Sequence, residues 1–252
     1  MKIEKIKKTG KKYKILLSDG SEIKTYDDVI LNYGLLYHKN IDSDLLNKIN
    51  NDNNYYEIYY KTVNYITKRL RSEKEINEYI DKNKVTNKDK EKLVKKLKED
   101  NLINDLNFAK AYIADKINLS NIGLDKIRND LLMHNISVEI IDSELAKVDN
   151  NLIKEKLKKL IAKKIKNSKY TGYKLKFKIV NELINLGYDK DDILEIYDNI
   201  SVDNTENIKK EYDKLYKKLS NKYQNKDLER MIKSKLYNRG FSIEEINKFI
   251  EN

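Results

Sequence analysis

The chain has 252 residues, room for one large domain or two ordinary ones, and its 39% apolar content suffices for a core despite 37% charge. It has no cysteine, which excludes disulfide frameworks and thiolate metal sites. Against 41 acidic residues stand 52 basic ones, a net charge of +11 that invites a polyanionic partner.

Residues 1–25 pattern as a small antiparallel sheet. Ile3 and Ile6 lie in a first strand and Tyr13-Lys14-Ile15-Leu16-Leu17 form a second. Ser18-Asp19-Gly20-Ser21 is a turn, because Asp-Gly accepts the positive φ of a tight hairpin, and Glu22-Ile23-Lys24 return as a third strand. Tyr26-Asp27-Asp28 open a helix that Gly34 ends, and a second short helix is expected from Asp42 to about Ile49. Asn50-Asn51-Asp52-Asn53-Asn54 reads as a polar breaker, which makes 1–53 a first region.

Beyond residue 54 the pattern is helical and recurrent. The anchors Ile76, Ile127, Ile179 and Ile232 are spaced by 51, 52 and 53 residues. Four residues on, Ile80, Leu131, Leu183 and Leu236 complete one helical face. Eight on stand Lys84, Asn135, Gly187 and Gly240, three of which suit the left-handed end of a helix. Nine on stand the apolar Val85, Ile136, Tyr188 and Phe241. A further helix follows each stop, with core positions Leu93 and Leu97, Ile141 and Leu145, Ile193 and Tyr197, Ile246 and Ile250. A longer one precedes each anchor, over roughly 55–69, 106–118, 151–167 and 206–221. Each unit is therefore three helices, with repeats over 54–104, 105–150, 151–203 and 204–252. Units so small bury too little alone, so a mainly α, elongated curved array of tandem three-helix repeats behind the small sheet is expected.

At the junction into the first repeat, Ser72 and Glu75 have capping-box spacing, so a helix starts beside Lys68, Arg69 and Arg71. Arginine is scarce: Arg69, Arg71, Arg128, Arg230 and Arg239 are five of the 52 basic residues. In a chain biased towards lysine, it marks positions that need a planar bidentate donor for phosphate or carboxylate. Two readings of Arg69 and Arg71 stay open, as contact residues or as solvated ends of the preceding helix.

The third repeat concentrates charge, with eleven lysines against Glu155 and Glu182 between residues 151 and 187. Residues 188–205 then hold six acids against Lys190. On the helix over 151–167, Ile153, Leu157, Leu160, Ile161 and Ile165 form the apolar face. Lys156, Lys159, Lys163 and Lys166 form a stripe on the other side. That stripe is either a track for a phosphate backbone or an ordinary solvated face. Tyr170 and Tyr173 have the chemistry to stack on bases, while Phe177 is assigned to the core.

No phosphate-binding glycine motif occurs, and the seven glycines are scattered. The two histidines, His38 and His134, are far apart, which argues against a histidine zinc site. His134 precedes the Asn135 stop, where its partial charge suits the helix C-terminus better than catalysis. The acid pairs Asp27-Asp28, Asp191-Asp192 and Glu244-Glu245 all fall at helix starts. No catalytic residue, metal ligand or cofactor is therefore assigned. The first residues lead into no apolar signal core and no run has the length to span a bilayer, so a soluble cytoplasmic chain with no membrane partner is expected.

Three strings taken together resemble the RecX regulatory proteins, modulators of the RecA recombinase. They are Arg69-x-Arg71-Ser72-Glu73-Lys74-Glu75-Ile76, then Ile103-Asn104-Asp105-x-x-Phe108-Ala109-x-x-Tyr112, then Gly123-x-x-x-Ile127-x-x-x-Leu131. The likeness spans about residues 55–250, and the N-terminal sheet resembles the extension of the longer Gram-positive members. Leu70 stands where the family often has proline, and the stretch between Lys116 and Gly123 is less basic than is usual. The resemblance implies a non-enzymatic regulator of DNA repair, homologous recombination and the SOS response, with Phe108 a core residue, and a monomer is expected. It would bind RecA–DNA filaments, with single-stranded DNA as a secondary ligand, and inhibit ATPase and strand exchange by blocking growth or promoting disassembly. The candidate contact residues are then Lys68, Arg69, Arg71, Lys116, Arg128, Lys156, Lys159, Lys163, Lys166 and Arg239. The alternative is a helical-repeat module that binds nucleic acid directly, without RecA.

Overall fold

The computed structural model describes residues 1–37, 40–83, 85–200 and 205–251, which fall into two compact units, Met1–Phe108 and Ala109–Asn252. The chain is mainly helical, built of tandem three-helix repeats behind a small antiparallel sheet, as the periodicity predicts.

In the first unit β1 (Ile3–Thr9), β2 (Lys12–Leu17) and β3 (Glu22–Thr25) pair antiparallel in that order. The tight turn after β2 is held by Asp19, whose carboxylate accepts from the Ser21 N–H at 3.0 Å and from its hydroxyl at 2.6 Å, while Gly20 supplies φ 83. One face of the sheet buries Ile15, Leu17 and Ile23 against α1 (Asp27–Asn32) and α2 (Ser43–Ile66).

The predicted polar break at 50–54 does not occur: α2 is continuous for 24 residues, so the expected boundary after residue 53 falls in mid-helix. The polar residues are spent on side-chain bonds instead. Asn53 accepts from the buried Thr25 hydroxyl at 2.7 Å, and Asp52 accepts from the Tyr33 hydroxyl at 2.9 Å. Tyr60, stacked on Tyr26 at 5.0 Å, donates to Asp28 at 2.6 Å. An aromatic face thus carries the helix through asparagines whose intrinsic helix propensity is poor.

The repeats follow. α3 (Glu73–Asp81) and α4 (Asn87–Glu99) succeed the end of α2. Next come α5 (Asp105–Leu119), α6 (Leu124–Met133) and α7 (Val138–Leu145). Then come α8 (Asn150–Lys166), α9 (Gly172–Asn185) and α10 (Lys190–Asp198), and finally α11 (Thr205–Leu219), α12 (Asn225–Tyr237) and α13 (Ile243–Glu251). All eight anchor residues of the middle helices, Ile76 through Leu236, are buried. Asn135, Gly187 and Gly240 take the left-handed conformation at φ 59, 82 and 101; Lys84 and His38 lie outside the described residues. A further regularity lies ten residues past each anchor. Thr86, Ser137, Asp189 and Ser242 each accept a backbone N–H through the side chain and start the third helix.

Within the second unit, successive middle helices meet end to start. The Gly123 N–H, at the N-cap of α6, donates to the Leu186 carbonyl at 2.7 Å, and the Asp125 N–H to Gly187 at 3.1 Å. One repeat further on, the Thr171 N–H at the start of α9 donates to the Arg239 carbonyl at 2.9 Å. Unpaired N–H groups of one helix start are thus satisfied by carbonyls at the end of the next repeat's helix. The backbones approach so closely that a Cβ on Gly123 would lie 2.1 Å from the Gly187 oxygen.

Candidate functional site

Four of the five arginines singled out by their scarcity are drawn into intramolecular pairs, while Arg230 is exposed and makes no ion pair among the described residues. Ser72 and Glu75 form the predicted capping box at the start of α3. Arg69 clamps Glu75 with contacts of 2.5 and 3.3 Å. Arg71 lies over the Tyr65 ring at 4.0 Å and 3.5 Å from the same carboxylate, its side chain only 13% exposed. Burial works against ionisation of Glu75, yet the Arg69 bond and the Ser72 N–H together hold its carboxyl below the usual carboxylate range. Arg128 grips Asp142 at 3.1 and 3.4 Å. Arg239 reaches the buried Glu211 of α11. The planar fork did mark carboxylate partners, and these are partners within the chain. Arg71 in particular is an interior strut rather than the solvated helix end of the second reading.

The lysines divide. Lys116 lies over the Tyr112 ring at 5.0 Å, and Tyr112 donates to Asp130 at 3.0 Å. Lys156 turns inward and donates to the Ile117 carbonyl near the end of α5; burial pushes its pKa down. It thereby caps a helix C-terminus, where a cation is favoured. Lys159, Lys163 and Lys166 are exposed and make no ion pair among the described residues, and so is Lys68 at the end of α2. On α8 they advance over about 10 Å of helix rise. Lys163 also lines an open groove of about 370 Å³ shared with Asn167, Lys178 and Glu182, where Lys164 and Lys178 both reach Glu182.

Phe177, assigned to the core from sequence, is 58% exposed. The face of α9 that packs inward is Leu175, Ile179 and Leu183, and a residue two positions from Leu175 points about 200° away. Phe177 stacks instead on the exposed Tyr173, centroids 6.0 Å apart. Tyr170 is half-buried between the ammonium groups of Lys169 and Lys178 at 5.3 and 5.2 Å. His134, at the C-cap of α6, makes an edge contact with Tyr112 at 5.6 Å. Among the described residues no group of three or more His, Asp or Glu side chains is placed to hold a metal ion, and no helix is long and apolar enough to cross a membrane.

Capped three-helix repeats, with a row of lysines on α8 that makes no ion pair among the described residues, define a helical-repeat protein whose surface rather than a cleft is chemically distinctive. No family model matches the chain. It is 28% identical over 258 residues to the regulatory protein RecX of Oceanobacillus iheyensis, covering 97% of this chain and 94% of that one. To the regulatory protein RecX of Streptococcus agalactiae serotype III it is 27% identical, covering 98% and 97%. A crystal structure of a regulatory protein RecX shares the fold with a TM-score of 0.68 at 24% identity, covering 79% of this chain and 99% of that one. RecX from Lactobacillus salivarius superposes with a TM-score of 0.54 at 26% identity, covering 58% and 98%. Over nearly its whole length the chain is thus similar to proteins named regulatory protein RecX, and it shares the fold of a solved RecX structure.

Proposed function

We propose that this chain regulates a RecA-type recombinase by binding its DNA filament, limiting growth or promoting disassembly and so lowering ATPase and strand exchange. The observation that carries the contact is the contrast on α8 between paired and unpaired cations. Lys154 is bound to Asp192 and Glu195, Lys156 to a carbonyl and Lys164 to Glu182, whereas Lys159, Lys163 and Lys166 have no acid partner among the described residues. Three uncompensated ammonium groups on one helix face suit a polyanion held along its length, with counterion release as the driving force. The exposed Tyr173 and Phe177 favour a second component, direct contact with unstacked bases.

The test is Lys159→Gln with Lys163→Gln and Lys166→Gln, assayed for binding to RecA assembled on single-stranded DNA and to the same DNA alone. Weaker binding to the filament supports the assignment. Filament binding equal to the parent removes α8 from the interface. Equal loss on filament and bare DNA points to the module that needs no recombinase.

A further inference from the structure

The N-terminal sheet carries a second basic surface. In β1, β2 and β3, Ile6, Ile15 and Ile23 stand directly opposite one another and form the row that faces the helices. The next row, one residue along each strand, points to the other side and consists of Lys7, Lys14 and Lys24, again directly opposite one another. Like charges in directly opposed positions repel and destabilise the pairing. Only Lys14 has a counter-ion, Glu22 at 2.5 Å, while Lys7 and Lys24 are exposed and make no ion pair among the described residues. Lys5, two residues from Lys7 and on the same face, is equally exposed. Residues 2–25 hold eight lysines against Glu4, Asp19 and Glu22. At a strand spacing of about 4.8 Å the lysine row spans about 10 Å.

We infer that this open face of the sheet is a docking surface for the phosphate backbone of nucleic acid. Charge complementarity requires an anionic occupant, and an extended row of point charges suits a regularly charged polymer backbone. Arginine forks onto carboxylates in this chain, as in Arg69 with Glu75 and Arg128 with Asp142, but lysine holds them too, as Lys176 does both oxygens of Asp198, so the test below separates the two anions. No arginine lies in the sheet, whose ammonium groups act as point charges that follow a backbone without fixed geometry. The open face carries no aromatic residue to read or stack a base: its positions in β2 are Lys14 and Leu16, Tyr13 packs on the inward side, and the Lys12 ammonium turns to the Tyr26 ring and Glu57 of α2. The contact is therefore sequence-independent and salt-sensitive, and a bound phosphate row offsets the repulsion within the sheet.

The experiment uses the full chain with Lys5→Gln, Lys7→Gln and Lys24→Gln, titrated by fluorescence anisotropy against a labelled oligonucleotide, single-stranded and as duplex. Salt is varied between about 50 and 200 mM, where each lost phosphate contact takes about 0.7–0.9 from the log–log slope. The expected result is weaker binding with a slope shallower by about 2, and a thermal midpoint equal to or above that of the parent because repulsion is relieved. Unchanged affinity and slope overturn the inference. So does intact DNA binding accompanied by lost binding to polyglutamate, which makes the occupant an acidic protein surface. No recombinase is present in the assay, so its failure leaves filament regulation standing. Absence of filament inhibition by the parent chain, together with a salt slope that the three substitutions reduce, strikes the filament reading alone.

Discussion

Gly123→Ala tests the joint between repeats. At φ −87 the Gly123 backbone suits any residue, so alanine brings no conformational strain and the unfolded-state effect favours it by about 0.4–1 kcal/mol. Against this, the new methyl carbon would sit 2.1 Å from the Gly187 oxygen, 2.4 Å from its carbonyl carbon and 2.6 Å from the Tyr188 nitrogen. These are backbone atoms at a helix end and cannot swing aside as a side chain can. Relieving the clash must separate the helices, weakening the Gly123–Leu186 and Asp125–Gly187 hydrogen bonds of 2.7 and 3.1 Å. Overpacking costs about 1–3 kcal/mol, and each lost hydrogen bond about 0.5–1.5 kcal/mol. The net is a loss of about 1–5 kcal/mol, read as a lower midpoint in urea unfolding. Gly20→Ala is the companion: φ is 83 but nothing lies within 4 Å of the added carbon, so it should lose only about 1 kcal/mol. A Gly123→Ala variant as stable as the parent would refute the close approach of the two helices.

Five further outcomes follow from the same packing. Ile127→Ala removes a fully buried anchor of α6 and should cost about 2–5 kcal/mol in denaturant unfolding. Arg69→Ala, at a half-exposed pair, should lose under about 1 kcal/mol. Arg71→Ala gives up the Tyr65 contact and one partner of the half-buried Glu75, so it should lose about 1–3 kcal/mol, and the double variant is correspondingly destabilised. Because the folded pKa of Glu75 is depressed, its contribution is present above the unfolded value of about 4.3 and is lost as pH falls through the folded value; Glu75→Gln should flatten that part of an acid-unfolding profile. Burial first, and then hydrogen bonding to Asp130, pushes Tyr112 up to about 12. Its stabilisation holds below about pH 10 and fades as pH rises towards the folded value, so Tyr112→Phe should show a shallower loss of stability in alkali.

The repeat was legible because burial imposes a period: the anchors, their partners four residues on and the left-handed stops recur at fixed offsets, and all the described ones occupy the expected places. The helix starts at Thr86, Ser137, Asp189 and Ser242 recur just as regularly, ten residues past each anchor, but in polar side chains that hydrophobic periodicity does not register. The run at 50–54 misled because local propensity was weighed without its tertiary partners, Thr25 and Tyr33, which lie far back in the chain. Phe177 misled because an aromatic was assigned inward by type, when Leu175 and Ile179 already filled that face. For the basic residues, sequence gives charge but not counter-ions. Glu75, Asp142 and Glu211 claim their arginines from 4 to 28 positions away, and only the fold shows which cations are left over. The lysine row of the sheet was hidden for a related reason, since cross-strand opposition depends on register.

The most direct test of filament regulation is titration of the purified chain into RecA turning over ATP on single-stranded DNA, alongside its binding to that DNA without RecA. The account predicts that ATP hydrolysis falls as the chain is added, at concentrations where bare DNA is not yet saturated. Hydrolysis that stays constant up to saturation of the DNA, or that falls only as the DNA is covered, would contradict it.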